Sequence, residues 1–330
     1  VGAMLAASTG IVGATVVTMG LISLPTMLKR GYGPRLSTGV IAASGTLGQI
    51  IPPSVVLVLL GSVLNVSVGD LFVSAIIPGA GLVLCYLIYI VIYSFIFPER
   101  VPAMPKEEIK RFREQGLTKE VLTSFIFPFL LILAVLGSIF AGIASPTEAA
   151  GVGAFGSMIL AAVDGKFKLP VLKEVMKETT MLTSMVFMIL VGATAFSLVF
   201  RGMEGDKLFL NIIEDAQLGA TGFLLLVMLL VFIAGFFIDF IEIVFIIVPV
   251  VAPIMVAMGI DLIWVGILLA INLQTSFLTP PFGFALFYLK GVAPPEVKTV
   301  HIYQGIIPFV LIQLAFMILL FVFPELTSLL

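Results

Sequence analysis

Apolar residues fall in blocks long enough to cross a bilayer, and polar residues gather between the blocks and at a few points inside them. Runs of about 20 such residues, the length of a spanning helix, lie at 39–62, 71–97, 121–142, 147–163, 180–200, 262–289 and 302–324. Two more segments, 1–28 and 222–258, are equally apolar but carry helix breakers or acids at mid-length. Breakers also interrupt one of the spanning blocks, where "ASGTLGQIIPPSV" runs from Ala43 to Val55. A proline lacks an N–H and clashes with the preceding turn, and glycine loosens a helix further. Backbone freed in this way inside a bilayer is tolerated only where it lines a cavity or binds something.

Composition agrees with the pattern. Hydrophobic residues make up 60% of the 330 and charged residues 11%, against roughly 25% charged in soluble domains. The chain reads as an all-α polytopic membrane protein. A net charge of −2 argues against nucleic acid as a partner, and the single cysteine, Cys85, excludes an intramolecular disulfide. Opening at Val1 without a charged leader or a small-residue cleavage site, the chain reads as a fragment or processed form and not as a signal peptide.

The cations define a topology. If 1–28 and 222–258 are re-entrant hairpins, each entering and leaving on one side, one face holds 15 of the 17 lysines and arginines: Lys29, Arg30 and Arg35; Arg100, Lys106, Lys110, Arg111, Arg113 and Lys119; Lys166, Lys168, Lys173 and Lys177; Lys290 and Lys298. The other face keeps Arg201 and Lys207. The positive-inside rule makes the first face cytoplasmic.

The chain also repeats itself. At an offset of 228, Pro25 and Met27 fall on Pro253 and Met255, Gly31 on Gly259, and Pro52-Pro53 on Pro280-Pro281. With small gaps, Ile76-Ile77-Pro78 falls on Ile306-Ile307-Pro308 and Phe97-Pro98-Glu99 on Phe323-Pro324-Glu325. Residues 1–100 and 222–330 therefore each read as hairpin, discontinuous helix and closing helix, joined through 101–221 by a surface helix and further membrane helices. Five crossings separate the hairpins, an odd number, so the repeats are inverted. Paired discontinuous helices in inverted repeats point to a secondary transporter with its site near the bilayer midplane.

At "GTLGQIIPPS" (45–54), "SPTEAAG" (145–151), "FFID" (236–239) and "INLQTSFLTPPFG" (271–283) the chain resembles the large membrane subunit, DctM type, of tripartite ATP-independent periplasmic (TRAP) transporters. The likeness spans essentially the whole chain. It implies an inner-membrane, elevator-type permease that takes up an organic acid with sodium. The acid would be delivered by a periplasmic substrate-binding protein, and a small four-helix membrane subunit, separate or fused, would accompany the permease. Members usually begin about three helices earlier, so an N-terminal segment of roughly 100 residues is expected to be absent. Where many members have Ser-Gly-Ser-Ser at the first hairpin tip, this chain has Thr9-Gly10-Ile11-Val12, and Glu242 stands where a small residue often follows the tip aspartate. That combination looks like the subgroup labelled for mannitol or chloroaromatic compounds.

Within this frame the candidate ion ligands are hard oxygen donors from two places. One set is Ser8, Thr9, Gly10, Ser44, Gly45 and Thr46, with Gly48; the other is Asp239, Asn272, Thr275, Ser276 and Thr279. Candidate substrate contacts are Thr9, Ile11, Val12, Gln49, Pro52, Glu242, Gln274 and Pro280. Sodium is the expected metal, and no other cofactor is implied. Asp239 and Glu242 are three apart and share a helical face, and ionisable groups at membrane depth are functional by default; solvation at a wet hairpin tip is the plainer reading.

Other features read as structural. Ser145-Pro146-Thr147-Glu148 has the form of a capping box with proline at the first helical position. Gly151 to Gly156 matches G-x-G-x-x-G without a preceding strand, so it reads as close helix packing. His301 has no histidine or cysteine partner, and the run from Lys106 to Lys119 reads as a surface helix. A channel would spread polarity along continuous helices, and an enzyme would need a nucleophile with its base or a metal cluster. The pattern favours a carrier over both. A binding-protein-independent sodium- or proton-coupled carboxylate carrier of related architecture is the alternative.

Overall fold

A computed structural model describes residues 2–114, 117–205, 208 and 218–328, apart from the side chains of Ser8, Lys106, Phe112, Arg113 and residues 117–124. Among these residues every regular element is a helix. In chain order they are α1 (Gly2–Thr9), α2 (Val12–Lys29), α3 (Pro34–Thr46), a 3-10 turn (Leu47–Gln49), α4 (Val55–Leu64) and α5 (Val68–Ile96). Next come α6 (Lys106–Glu114), α7 (Leu117–Phe140), α8 (Pro146–Val163) and α9 (Leu169–Gly202). The last group is α10 (Ala220–Ala234), α11 (Phe240–Ile246), α12 (Val248–Ala257), α13 (Leu262–Leu278), α14 (Phe284–Val292) and α15 (Thr299–Val322).

Among the described residues five helices are long and apolar enough to cross a membrane: α2, α5, α8, α9 and α15. The pair α11 and α12, bent by 48°, passes the same test only when taken together, as a broken span or a re-entrant loop. The apolar blocks 39–62 and 262–289 are each divided, into α3 with α4 and α13 with α14, because proline pairs interrupt them. The charged helix anticipated at 106–119 is shorter: α6 ends at Glu114, and Lys119 belongs to α7. Its charged run continues into the first turn of an apolar helix.

Element bounds recur along the chain. Helix α2 begins at Val12 and residue 240 begins α11; α3 begins at Pro34 and α13 at Leu262, each pair 228 apart. Helix α4 covers 55–64 and α14 covers 284–292, within a residue of the same spacing. The closures agree in detail. After α2 the Tyr32 N–H donates to the Met27 carbonyl at 3.0 Å around Gly31 (φ 83°); after α12 the Ile260 N–H donates to the Met255 carbonyl at 2.9 Å around Gly259 (φ 71°). Both are left-handed C-terminal closures, which glycine adopts without a Cβ penalty. Pro52-Pro53 and Pro280-Pro281 are both cis.

Two compact units are present, Val1–Ile96 with Met185–Leu330, and Phe97–Ser184. In the second, α7 packs on α8, where a Cβ on Gly153 would meet Val135 at 3.2 Å and one on Gly156 would meet Leu131 closely. The G-x-G-x-x-G run is thus partly a packing surface, Gly151 having open space around it. Helix α8 starts at a complete capping box: the Glu148 carboxylate accepts from the Ser145 N–H at 2.8 Å, and Ser145 Oγ accepts from the Glu148 N–H at 3.4 Å.

In the first unit the hairpins and divided helices form the core. Helix α3 crosses α15 with backbone on backbone: a Cβ on Gly39 would run into the Gly305 carbonyl, and one on Gly305 into the Arg35 carbonyl. Thr38 Oγ1 reaches the His301 carbonyl across this crossing at 3.3 Å. His301 itself accepts the Lys298 N–H on Nδ1 at 3.3 Å, a structural role at the start of α15. By contrast α8 and α9 carry many exposed large apolar side chains, Phe155, Ile159, Phe187, Val191 and Leu198 among them. Such faces suit lipid or a membrane partner.

Candidate functional site

The site begins where α3 stops. Beyond Thr46 the chain tightens into the 3-10 turn and then leaves helical geometry, until Ser54 restarts it as the cap of α4. Ser54 Oγ accepts the Leu57 N–H at 3.3 Å and donates to the Gln49 carbonyl at 2.6 Å, so it ties the two sides of the break together. The hairpin of α1 and α2 is pressed onto this break. Its tip turns at Gly10 (φ 64°), whose N–H donates to the Ala6 carbonyl at 2.9 Å. A Cβ on Gly48 would stand 2.5 Å from the Ala6 carbonyl oxygen, one on Gly45 2.5 Å from Val16, and one on Gly10 3.2 Å from Val55. Thr9 Oγ1 bonds the Leu5 carbonyl at 3.0 Å and meets Thr15 Oγ1. Gly10 is therefore brought against Val55, whereas the bonds of Thr9 run within the hairpin. Ser8 lies in α1, with its side chain outside the described residues.

A second assembly is built in the same manner. Helix α13 ends at Leu278, and α14 resumes at Phe284 after Pro280-Pro281. The α10–α11 segment packs against α13 and touches that break, leaving Pro281 and Phe282 exposed. Asn272 Nδ2 donates to the Met228 carbonyl at 2.7 Å, and Phe237 packs on Phe282 with ring centroids 5.1 Å apart. Asp239 caps α11 by accepting the Phe240 N–H at 2.7 Å, and Glu242 follows in the first turn of the same helix.

Close approach at both assemblies depends on glycine. At the first it stands on both sides, Gly48 against Ala6 and Gly2 against Ser44 Oγ; at the second it is on the α10 side, Gly235 against Ser276 Oγ. Gly235→Ala should therefore destabilise the folded protein by about 1–3 kcal/mol, the usual scale of overpacking. Combining it with Ser276→Gly should restore most of the loss. Thermal unfolding of the four variants in detergent measures this, and an equal loss in the single and double variants would contradict the contact.

The hydroxyls at the breaks are engaged with their own helices, those of Thr46, Thr275 and Ser276 buried and those of Ser44 and Thr279 half-buried. Thr46 donates to Ala43 (2.9 Å), Thr275 to Ile271 (2.7 Å), Ser276 to Leu273 (2.8 Å) and Thr279 to Thr275 (2.8 Å), while Ser44 donates to Ile41 (3.3 Å). Donating the proton leaves the oxygen lone pairs open to a cation. The carboxamides differ. Gln49 and Gln274 are fully buried with neither amide atom hydrogen-bonded, and Asn272 Oδ1 and Glu242 Oε2 also lack a partner. Unpaired buried polar groups are uncommon and need a reason. Of the remaining candidates, Ile11 is exposed at the tip, Val12 and Pro52 are buried, and Pro280 is half-buried. Sequence reasoning passed over Tyr86 and Gln313, whose buried side chains meet with Gln313 Nε2 donating to Tyr86 Oη at 2.6 Å. A glutamine in the middle of an apolar spanning run was the available signal.

A family model described as the tripartite ATP-independent periplasmic transporter, DctM component, matches residues 1–326. The chain belongs to this family. It is 32% identical over 344 residues to a C4-dicarboxylate TRAP transporter large permease protein of Vibrio cholerae, covering 97% of this chain and 73% of that protein. An ectoine TRAP transporter large permease protein of Halomonas elongata is 30% identical, over 94% of this chain and 71% of its own length. A sialic acid TRAP transporter large permease protein of Vibrio cholerae is 31% identical over the same shares. Family membership and the spanning helices together make this chain a multi-pass inner-membrane transporter permease.

Proposed function

We propose that this chain is the permease subunit of a sodium-coupled secondary uptake system for organic acid anions, supplied by a periplasmic substrate-binding protein and assembled with a small membrane subunit. The observation that carries the reading is the pair of helix breaks at Pro52-Pro53 and Pro280-Pro281, each with a preceding helical segment packed against its divided helix, at positions 228 apart in a recurring order of elements. Residues 1–100 and 222–330 then act as inverted repeats, with 101–221 linking them. The two hairpins are re-entrant, and the domain that carries them moves as an elevator. Buried hydroxyl and carbonyl oxygens at each break suit sodium, and the unpaired amides of Gln49 and Gln274 suit an anion's oxygens.

Relatives named for C4-dicarboxylate, ectoine and sialic acid support a carrier of small charged or polar organic molecules. The aliphatic Ile11 and Val12 at the first tip favour an acid with an apolar or aromatic body. Reconstitution with the binding protein, a sodium gradient and a panel of succinate, aliphatic and aromatic monocarboxylates and sugar acids tests the proposal. Accumulation should require both the sodium gradient and the binding protein. Equal uptake without the binding protein would favour the independent carrier instead.

The same reading makes an expectation about sidedness. With Cys85 replaced, a cysteine at Glu204 should react with an impermeant reagent added from the periplasm, and one at Gly33 should not, following the 15-to-2 division of cations. The reverse labelling pattern would refute the inverted repeats.

A further inference from the structure

Helix α9 carries a polar face into an apolar corner of the first unit. Ser197 and Arg201 line a cavity of about 270 Å³ there, opposite Val63 of α4, Phe245 of α11 and Pro249 of α12. The two are four apart and so share one face of the helix. Thr194 lines the same cavity, but its hydroxyl proton goes to the Leu190 carbonyl at 2.7 Å, which leaves Ser197 and Arg201 as the donors. Arg201 stands in the last turn of α9, where the helix dipole favours a cation, and it forms no ion pair among the described residues. It is also one of two cations on the face assigned to the periplasm, where the positive-inside rule disfavours them. Phe245 lies one turn along α11 from Glu242, so the cavity adjoins the second hairpin tip.

We propose that this cavity is an outer subsite for the transported acid, which sets its carboxylate on Arg201 and Ser197 and its apolar body against Val63, Phe245 and Pro249. The inference rests on the transport reading above and adds a second place where the acid is held, on its way to the breaks. The volume is just under the usual range of ligand pockets, about 300–1,000 Å³, which suits a small acid better than a two-tailed phospholipid. A cation at one end and an apolar wall opposite select a single carboxylate on a compact apolar body. The second carboxylate of succinate would lie against that wall without a partner.

The test uses the full chain with its small subunit in phosphatidylcholine vesicles. Ser197→Cys in a Cys85→Ser background places a thiol in the cavity, and its rate of modification by a small uncharged thiol reagent is measured against benzoate and against succinate. Benzoate should slow the modification, and succinate should need a higher concentration for the same effect. Arg201→Gln should raise the half-protecting concentration of benzoate about fivefold, the upper range for an exposed ion pair, and Arg201→Lys should bring it back to within about twofold of the parent. Absence of protection by benzoate overturns the inference, as does equal protection by succinate. So does protection that Arg201→Gln leaves unchanged, which would mean that an acid bound at the breaks acts on α9 from a distance. Protection that appears when phosphatidylglycerol is added to the vesicles, with no effect of benzoate, gives the cavity to a lipid headgroup and also overturns it. Uptake of the acid panel is measured alongside. A wild-type protein that takes up no acid defeats the transport reading, a result distinct from the labelling, and takes the subsite's role in transport with it.

Discussion

Gly305→Val is expected to leave little folded protein, and Gly305→Ala to lose about 2–3 kcal/mol or more. The crossing of α3 and α15 is the reason. An added Cβ at Gly305 meets the Arg35 carbonyl carbon at 3.0 Å, its oxygen closer still, and Thr38 Oγ1 at 3.0 Å. Most of that obstacle is backbone, which cannot swing aside as a side chain does, so the helices themselves must part. Helix association in lipid depends on close packing at small residues more than on burial from water, and overpacking costs about 1–3 kcal/mol even where side chains can adjust. Against a total stability of about 5–15 kcal/mol the loss is large. Gly39→Ala should be similarly harmful, since it meets the Gly305 carbonyl from the other helix, and the double variant should fall short of the sum because one separation relieves both clashes. Gly151→Ala, with open space around it, is the control and should be neutral or slightly stabilising. Thermal unfolding and membrane yield measure these effects. Gly305→Ala as stable as Gly151→Ala would show that the crossing is looser than described.

That crossing marks a boundary of what the sequence discloses. Local rules were readable: Pro52-Pro53 and Pro280-Pro281 predicted divided helices, Ser145 to Glu148 predicted a capped start, and Gly31 and Gly259 stood at matching places. Each of these is written within a few consecutive residues. The partners of Gly39 and Gly305, or of Tyr86 and Gln313, are chosen by how helices pack, and in an evenly apolar chain no hydrophobic stripe indicates which face turns inward. The charged run at 106–119 failed for a related reason. Its composition is that of a solvated face, but composition does not mark where one helix yields to the next, so Lys119 was assigned to the wrong element. At the breaks the residue types were legible, whereas the hydroxyl-to-carbonyl bonds that organise Thr46, Thr275 and Ser276 required the backbone geometry.

Thr46→Val and Asp239→Asn should each raise the sodium concentration for half-maximal uptake by about fivefold or more, while the protein remains inserted. Neither change should unfold it. Valine has the shape of threonine and forfeits one hydroxyl-to-Ala43 bond, and asparagine is as good a helix cap as aspartate for the Phe240 N–H. What each removes is an oxygen donor, or its charge: Thr46 is buried at the first break, and Asp239 is the half-buried cap of α11. Half-helix N-termini such as those of α4 and α14 favour an anion, and unwound carbonyls favour the cation. Holding both charges at one depth costs less than holding either alone, so sodium and substrate should bind with positive coupling. Coupling of equilibrium affinities is reciprocal. The two variants should therefore also weaken equilibrium binding of the acid at low sodium, and saturating sodium should recover much of that loss. Glu242→Gln separates two readings of the second tip: it should act like Asp239→Asn if the buried Glu242 Oε2 belongs to the site, and change little if the carboxylate is merely solvated. Isotope uptake against sodium concentration, together with acid binding at low and high sodium, measures all three. Uptake that ignores sodium but follows an imposed proton gradient, and is lost in Asp239→Asn or Glu242→Gln, would replace sodium coupling with a carboxylate proton relay.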